Sequence, residues 1–255
     1  MDGSSGDDGN TGEASSPLRT IGKALEMAAA GDTVTVKAGT YNEQIVIPDK
    51  NPAPSLSAPL VIRADPAGGP VVLDGTGVEL VVEGTLENPA GVSIYRDGAV
   101  VLEGFTITNY SGYGVAVQQS SFATVKGCTF RSNGTGMADA VDLLVISSQG
   151  VRVLENAFEG TASSERAIDD RSTDTWIAYN DFTGYRSSCI KVGPAPAGAG
   201  CRIEHNRFTG NPATEGVVLL DRARAVVVTR NILDGGSLQG IRLEQSTDCR
   251  VHMNT

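Results

Sequence analysis

The chain has 255 residues, of which 40% are hydrophobic, 20% charged and only 5% aromatic, and its net charge is −10. That balance excludes a wholly disordered chain. It also argues against a duplex nucleic-acid binder, which needs a basic face to neutralise phosphates. No apolar run approaches the roughly 20 residues of a membrane-spanning helix.

Residues 1–16 are mostly Gly, Ser and Asp. They read as a solvated loop with neither the basic region nor the apolar stretch of a signal peptide. The acidic run Asp2, Asp7, Asp8 leaves calcium as an alternative, because hard cations take carboxylate oxygens. Residues 17–30 predict one short helix. Ser16 is the expected N-cap and Pro17 suits the first helical position. Ile21, Ala24, Leu25 and Ala28 form one apolar stripe, and Gly31 is the expected left-handed stop. Strands follow at Thr33-Val34-Thr35-Val36-Lys37 and Ile45-Val46-Ile47. From residue 58 onward the chain reads as strand and turn.

The later strands repeat. Val153-Leu154-Glu155-Asn156-Ala157-Phe158 is followed by Ile177-Ala178-Tyr179-Asn180-Asp181-Phe182 and Ile203-Glu204-His205-Asn206-Arg207-Phe208. Val228-Thr229-Arg230-Asn231-Ile232-Leu233 and Val251-His252-Met253-Asn254 continue the series. The asparagines at 156, 180, 206, 231 and 254 are 24, 26, 25 and 23 residues apart. Val125…Cys128…Phe130 and Leu102…Phe105…Ile107 are degenerate earlier copies. Each unit carries a second strand, such as Gly114-Val115-Ala116-Val117, Ala167-Ile168-Asp169-Asp170, Cys189-Ile190-Lys191-Val192 and Gly240-Ile241-Arg242-Leu243. One such unit cannot bury its own apolar face, so copies must stack, strand on strand at about 4.8 Å. The Asn is expected at a tight corner, bonding the Asn of the next coil and accepting left-handed backbone. The Phe two residues later is expected to point inward and stack. A β-sandwich also spaces short strands regularly, but five asparagines in register favour the solenoid.

The segments Asp7-Asp8-Gly9-Asn10-Thr11-Gly12, Pro17-Leu18-Arg19-Thr20-Ile21 and Gly31-Asp32-Thr33-Val34-Thr35-Val36, with Gly39-Thr40-Tyr41, resemble the N-terminal region of the pectate lyase-like superfamily. The V-x-x-N-x-F copies resemble that superfamily's coils. The resemblance implies an all-β chain: a right-handed parallel β-helix over 17–255, capped by the helix at about 17–30 and preceded by the loop 1–16. It implies a secreted or cell-surface protein, expected to be a monomer, whose partner is an acidic polysaccharide rather than nucleic acid or membrane. The leading activity is a polysaccharide lyase working by β-elimination. A non-catalytic polysaccharide-binding or surface solenoid is the alternative, and glycoside hydrolase or uronate epimerase the next. Because solenoids need a terminal cap and the chain stops at Asn254-Thr255 within a repeat, further coils or a cap are expected beyond it. An Arg-to-Lys ratio of 15 to 5 suits a GC-rich bacterial gene.

In that superfamily the second strand forms the sheet on which the polysaccharide lies. Here this strand gathers charge from residue 164 onward. Lyase chemistry on a uronate needs a base for the C5 proton, a cation for the carboxylate and an acid for the leaving oxygen. Lys191 is the expected base and Arg171 the expected carboxylate clamp. Arg166, Asp221, Arg222, Arg242, Glu244 and Tyr185 are candidate substrate-binding residues, with Tyr113 a second aromatic for the groove. Asp169 and Asp170 are candidate ligands for a calcium ion. Asp169 and Lys191 are expected on adjacent coils. The same mixed charges would also suit an ordinary solvated sheet, where cross-strand pairs stabilise weakly. Asp169-Asp170 alone is thin support for a hydrolase, and His205 reads as a solvated strand residue. Cys128 falls in an Asn position. Cys201 and Cys249 share one repeat position two coils apart, beyond disulfide reach, and Cys189 with Cys201 is a conceivable pair.

Overall fold

A computed structural model describes residues 1–48, 58–81, 88–137, 139, 141–161, 163–194, 200–235 and 239–255. The architecture is a right-handed parallel β-solenoid of about 8 turns with one short helix. Three parallel sheets run its length, with 9, 8 and 8 strands among the described residues. One coil shows the plan: Arg166–Thr173 lies in sheet 3, Trp176–Ala178 in sheet 1 and Asp181–Thr183 in sheet 2. Ser188–Val192 then returns to sheet 3 on the next coil, with Ile168 beside Ile190 and Asp169 beside Lys191.

The helix spans Ile21–Met27, shorter than expected at both ends. Thr20, not Ser16, is the N-cap; its hydroxyl oxygen accepts from the Lys23 N–H at 3.2 Å. The displacement has a cause in the residues before it. The Asp8 carboxylate accepts from the backbone N–H groups of Arg19 and Thr20 and from the Thr20 hydroxyl, which keeps 17–20 out of the helix. Glu43 accepts from the N–H groups of Ile21 and Gly22, two donors that have no partner within a helix. Ile21, Ala24 and Leu25 are buried on the stripe side, as expected.

The first residues are largely exposed, as expected of a loop, and are tied to the fold. The Asp2 N–H donates to the Leu18 carbonyl, and the Met1 ammonium donates to the Thr35 carbonyl at 2.6 Å. The Asp2 carboxylate is occupied by the backbone and hydroxyl donors of Ser4 and Ser5, which hold it well below the usual carboxylate range. Asp2 is thus spent on a local turn and on Lys37, and Asp8 on the segment that leads into the helix. Among the described residues no group of three or more His, Cys, Asp and Glu side chains is placed to hold a metal ion.

The corner between sheets 1 and 2 explains the repeated asparagine. Asn180 Oδ1 accepts from both the backbone N–H and the side-chain amide of Asn156, at 2.9 and 3.0 Å. Asn206 does the same for Asn180, Asn231 for Asn206 and Asn254 for Asn231. Each amide also donates to a carbonyl one coil back, as Asn180 does to Val153. Cys128 fills the equivalent slot, its N–H donating to Asn156 Oδ1. One detail differs from expectation. The left-handed residue is the one before each asparagine: Glu155, Tyr179, His205, Arg230 and Met253 all have φ between 55 and 59°. In the two earlier coils Gly104 and Gly127 hold that place, where glycine has no Cβ penalty. Phe130, Phe158, Phe182 and Phe208 stack inside with ring centroids 4.7–4.8 Å apart. All four cysteines are free, so the conceivable pairing of Cys189 with Cys201 is not made.

Candidate functional site

In sheet 3 the residue pattern decides which side chains face out. Val115, Leu143, Ile168, Ile190 and Val218 share one register and are buried inward. The outward row one residue on runs Ser93, Ala116, Leu144, Asp169, Lys191, Leu219, Arg242. The early part of this face is apolar: Ala90, Ala116, Val141 and Leu144 cluster with Tyr113 and Ile146. Charge begins at Asp169.

Asp169 is the centre of the charged region. Its side chain is only 2% exposed, yet it carries two guanidinium partners. Arg171 donates from Nε to Oδ1 at 3.2 Å and from Nη2 to Oδ2 at 2.7 Å, a bidentate clamp. Arg166 Nη1 lies 3.9 Å from Oδ2. Arg166 is held in turn by the Ser188 hydroxyl and by Glu215, which also accepts from the Ser187 hydroxyl. On the next coil Lys191 Nζ lies 3.4 Å from Asp221 Oδ2, and Arg222 Nε donates to Asp221 Oδ1 at 3.2 Å. These cations hold the Asp221 carboxylate below its ordinary range, Arg222 the larger share. Two short ion-pair groups therefore sit side by side, joined by the Asp169–Lys191 register. Counting Arg166, Asp169, Arg171, Glu215, Lys191, Asp221 and Arg222, four cations face three carboxylates. Asp139 adds a fourth carboxylate whose field reaches Arg171, so the charges balance, and about two-fifths of the Arg171 side chain remains open to water.

Tyr113 stands at the border between the apolar and charged halves, half-buried and close to Arg171. Burial raises its phenol, and the Arg171 guanidinium opposes the rise. Gly193, just after Lys191-Val192, has φ 109°, and a Cβ there would collide with the Asp221 carbonyl oxygen. Glycine is what lets the chain leave Lys191 directly beside Asp221. A cavity of about 550 Å³ lies away from this cluster, at the N-terminal end beside Leu18, Met27 and Lys37.

Four expected members do not belong to this cluster. Tyr185 is fully buried, because it lies in the turn before the strand and points inward, donating to Asp142 Oδ2 at 2.5 Å. Asp142, which also accepts from the Asn133 amide, is pushed up to about 6 by burial. Asp170 follows Asp169 by one residue in an extended strand and so faces the opposite way. It occupies the inward row between Val145 and Val192. Its Oδ1 accepts from the Ser172 N–H and the Thr175 hydroxyl, its Oδ2 has no partner, and burial pushes it up to about 7. Asp169 and Asp170 therefore do not converge on one cation, and Asp169 is already occupied by two guanidiniums. Arg242 and Glu244 pair with each other within their strand, separated from Lys191 by Leu219. No local signal in the sequence separates an outward Asp169 from an inward Asp170.

An all-parallel three-sheet solenoid with an Asn corner and a charged outer face defines a class of protein, and the comparisons agree with it. Residues 71–255 match the right handed beta helix region, and the chain belongs to that family. Residues 4–49 match a second family, a protein of unknown function (DUF1565). No curated protein sequence matches the chain. Among solved structures, a pectate lyase, Pel9A, is similar with a TM-score of 0.57 at 13% identity, over 98% of this chain and 77% of its own. PfbA, a surface adhesin of Streptococcus pneumoniae, gives 0.59 at 15% identity, over 91% and 72%. An alginate lyase from Paenibacillus sp. str. FPU-7 gives 0.52 at 16% identity, over 92% and 96%. Identities this low establish the fold alone. Among the described residues no helix is long and apolar enough to cross a membrane.

Proposed function

We propose that the outer face of sheet 3, from Arg166 to Arg222, binds an acidic polysaccharide outside the cell and cleaves it by β-elimination. The observation that carries this reading is the register of Asp169 with Lys191, which sets two ion-pair groups one coil apart with the Arg171 side chain two-fifths open to water. A polysaccharide lying along the solenoid meets one coil about every 4.8 Å, near the advance of one sugar ring. Similarity of fold to a pectate lyase and an alginate lyase supports the substrate class.

In this reading the free N–H edge of Arg171 neutralises the uronate carboxylate, with its own geometry fixed by Asp169. Arg166 and Ser188 fix Asp169 from the other side. Lys191, as the neutral amine, takes the C5 proton. The C5–H and C4–O4 bonds break, a C4–C5 double bond forms, and the leaving O4 takes a proton from water. Calcium has no step here, since residues 169 and 170 do not form a joint ligand set.

The test is ultraviolet absorbance of unsaturated products on polygalacturonate, alginate and glycosaminoglycans. A rise on one polymer that disappears in Lys191→Ala supports the reading; a rise that Lys191→Ala leaves intact removes Lys191 as the base. The second reading, a non-catalytic binder, is favoured by the closed Lys191–Asp221 pair and by the likeness in fold to PfbA. It predicts binding with no absorbance change on any polymer.

A further inference from the structure

The outward face of sheet 1 carries a second pattern that the sheet 3 site does not use. Its register runs Thr124, Arg152, Trp176, Arg202, Val227, Arg250 on successive coils. From Arg152 onward charged and apolar residues alternate strictly. Arg152, Arg202 and Arg250 are exposed, and among the described residues none of them has an ion-pair or side-chain hydrogen-bond partner. The acids nearby are already engaged. Glu155 pairs with Lys126, and Glu204 accepts from the Trp176 indole N–H at 2.9 Å. That bond also fixes the indole between the two arginine rungs. At the adjoining corner Tyr179 and His205 stack with centroids 5.0 Å apart, Tyr179 half-exposed, and Arg230 follows one coil on, also without a partner.

The three guanidiniums are exposed and keep their donors free for an anion. Their spacing is informative. Neighbouring coils lie about 4.8 Å apart, so the arginines recur every two coils, about 9.6 Å, with an apolar side chain midway. An extended polysaccharide advances about one sugar ring per coil. An acidic group on every second ring would then meet Arg152, Arg202 and Arg250 in turn. The intervening neutral rings would lie over Trp176 and Val227.

We infer that the sheet 1 face is a second glycan-binding surface, matched to a polysaccharide with one acidic group per disaccharide. It is separate from the sheet 3 site and does not rest on the lyase reading. Guanidinium forks suit carboxylate or sulfate groups, and the contact should weaken with salt because the groups are exposed.

The experiment uses the full chain and hyaluronan, which carries one carboxylate per disaccharide, in affinity electrophoresis and calorimetry at low and high salt. Neutral dextran and vesicles of phosphatidylcholine with phosphatidylserine are the controls. The expected result is hyaluronan binding that weakens at least tenfold in the triple variant Arg152→Gln, Arg202→Gln, Arg250→Gln. The corresponding triple lysine variant should retain part of it, and Arg131→Gln, at an exposed arginine of sheet 2 that belongs to neither face, should retain all of it. Thermal midpoints of both triple variants should match the parent, since the three side chains are exposed. No hyaluronan binding by the parent, or equal affinity of parent and triple glutamine variant, would overturn the inference. So would capture by the anionic vesicles in place of hyaluronan, which would mark the face as a membrane-surface contact.

Discussion

The corner between sheets 1 and 2 and the outer face of sheet 3 are built from the same coils and obey opposite rules. At the corner each coil repeats the last: a left-handed residue, an asparagine, and an amide whose donors and acceptor are satisfied by neighbouring coils. On the sheet 3 face successive coils differ, and the residues change from Ala116 to Leu144 to Asp169 to Lys191. Repetition marks where the molecule is being held together. Departure from repetition, with a carboxylate buried between two guanidiniums, marks where it meets something else.

The sharpest way to break that contrast is at Lys191. Lys191→Ala should lower turnover at least about 10²-fold, the usual scale for a general base, while leaving the thermal midpoint unchanged; the absorbance assay and a melting curve together check this. Asn180→Ala should do the reverse. It leaves the Asn156 N–H and the Val153 carbonyl without partners, which costs about 2–4 kcal/mol by the usual penalty for buried polar groups. Denaturant unfolding should show that loss, with turnover by the folded fraction retained.

A smaller effect is expected inside sheet 3. Asp170 ionises near 7 in the fold but near 3.8 in the unfolded chain. The unfolded state therefore binds fewer protons between those values, and stability falls as pH rises from about 4 to about 7. Asp142, ionising near 6, adds a loss of the same sign over a narrower span. Asp170→Asn should flatten the dependence, raising stability by a few kcal/mol at pH 8 and changing little at pH 4. Melting curves across pH check the sign. The smallest effect is chemical: of the four thiols only Cys249 is partly exposed, so a thiol reagent should label one cysteine in the native protein and four in denaturant.

The solenoid was legible in the sequence because its period is written in side chains that do one job at every coil. Asn156 to Asn254 and Phe130 to Phe208 are seen once the spacing is noticed, and Cys128 can be placed by its position alone. The helix boundaries were not legible, because Asp8 and Glu43 cap the helix from 12 and 22 residues away. The site was legible only as a strip of chain. Asp169 and Lys191 were placed on adjacent coils from the repeat, but alternation carries a one-residue ambiguity that decides everything for Asp170. Tyr185 shows the same limit: Tyr113 opens a sheet 3 strand and Tyr185 lies just before one, yet the first borders the charged cluster and the second fills the interior.

The most direct test of sheet 3 as the place where an acidic polysaccharide is met is a binding isotherm. Calorimetric titration with polygalacturonate oligomers should compare the parent, a double variant Arg171→Gln, Lys191→Gln, and the Asn180→Ala ladder variant. The expected result is at least a tenfold loss of affinity in the double variant and no change in the ladder variant at a temperature where it is folded. Equal affinity in the parent and the double variant would contradict the assignment of this face as the binding site.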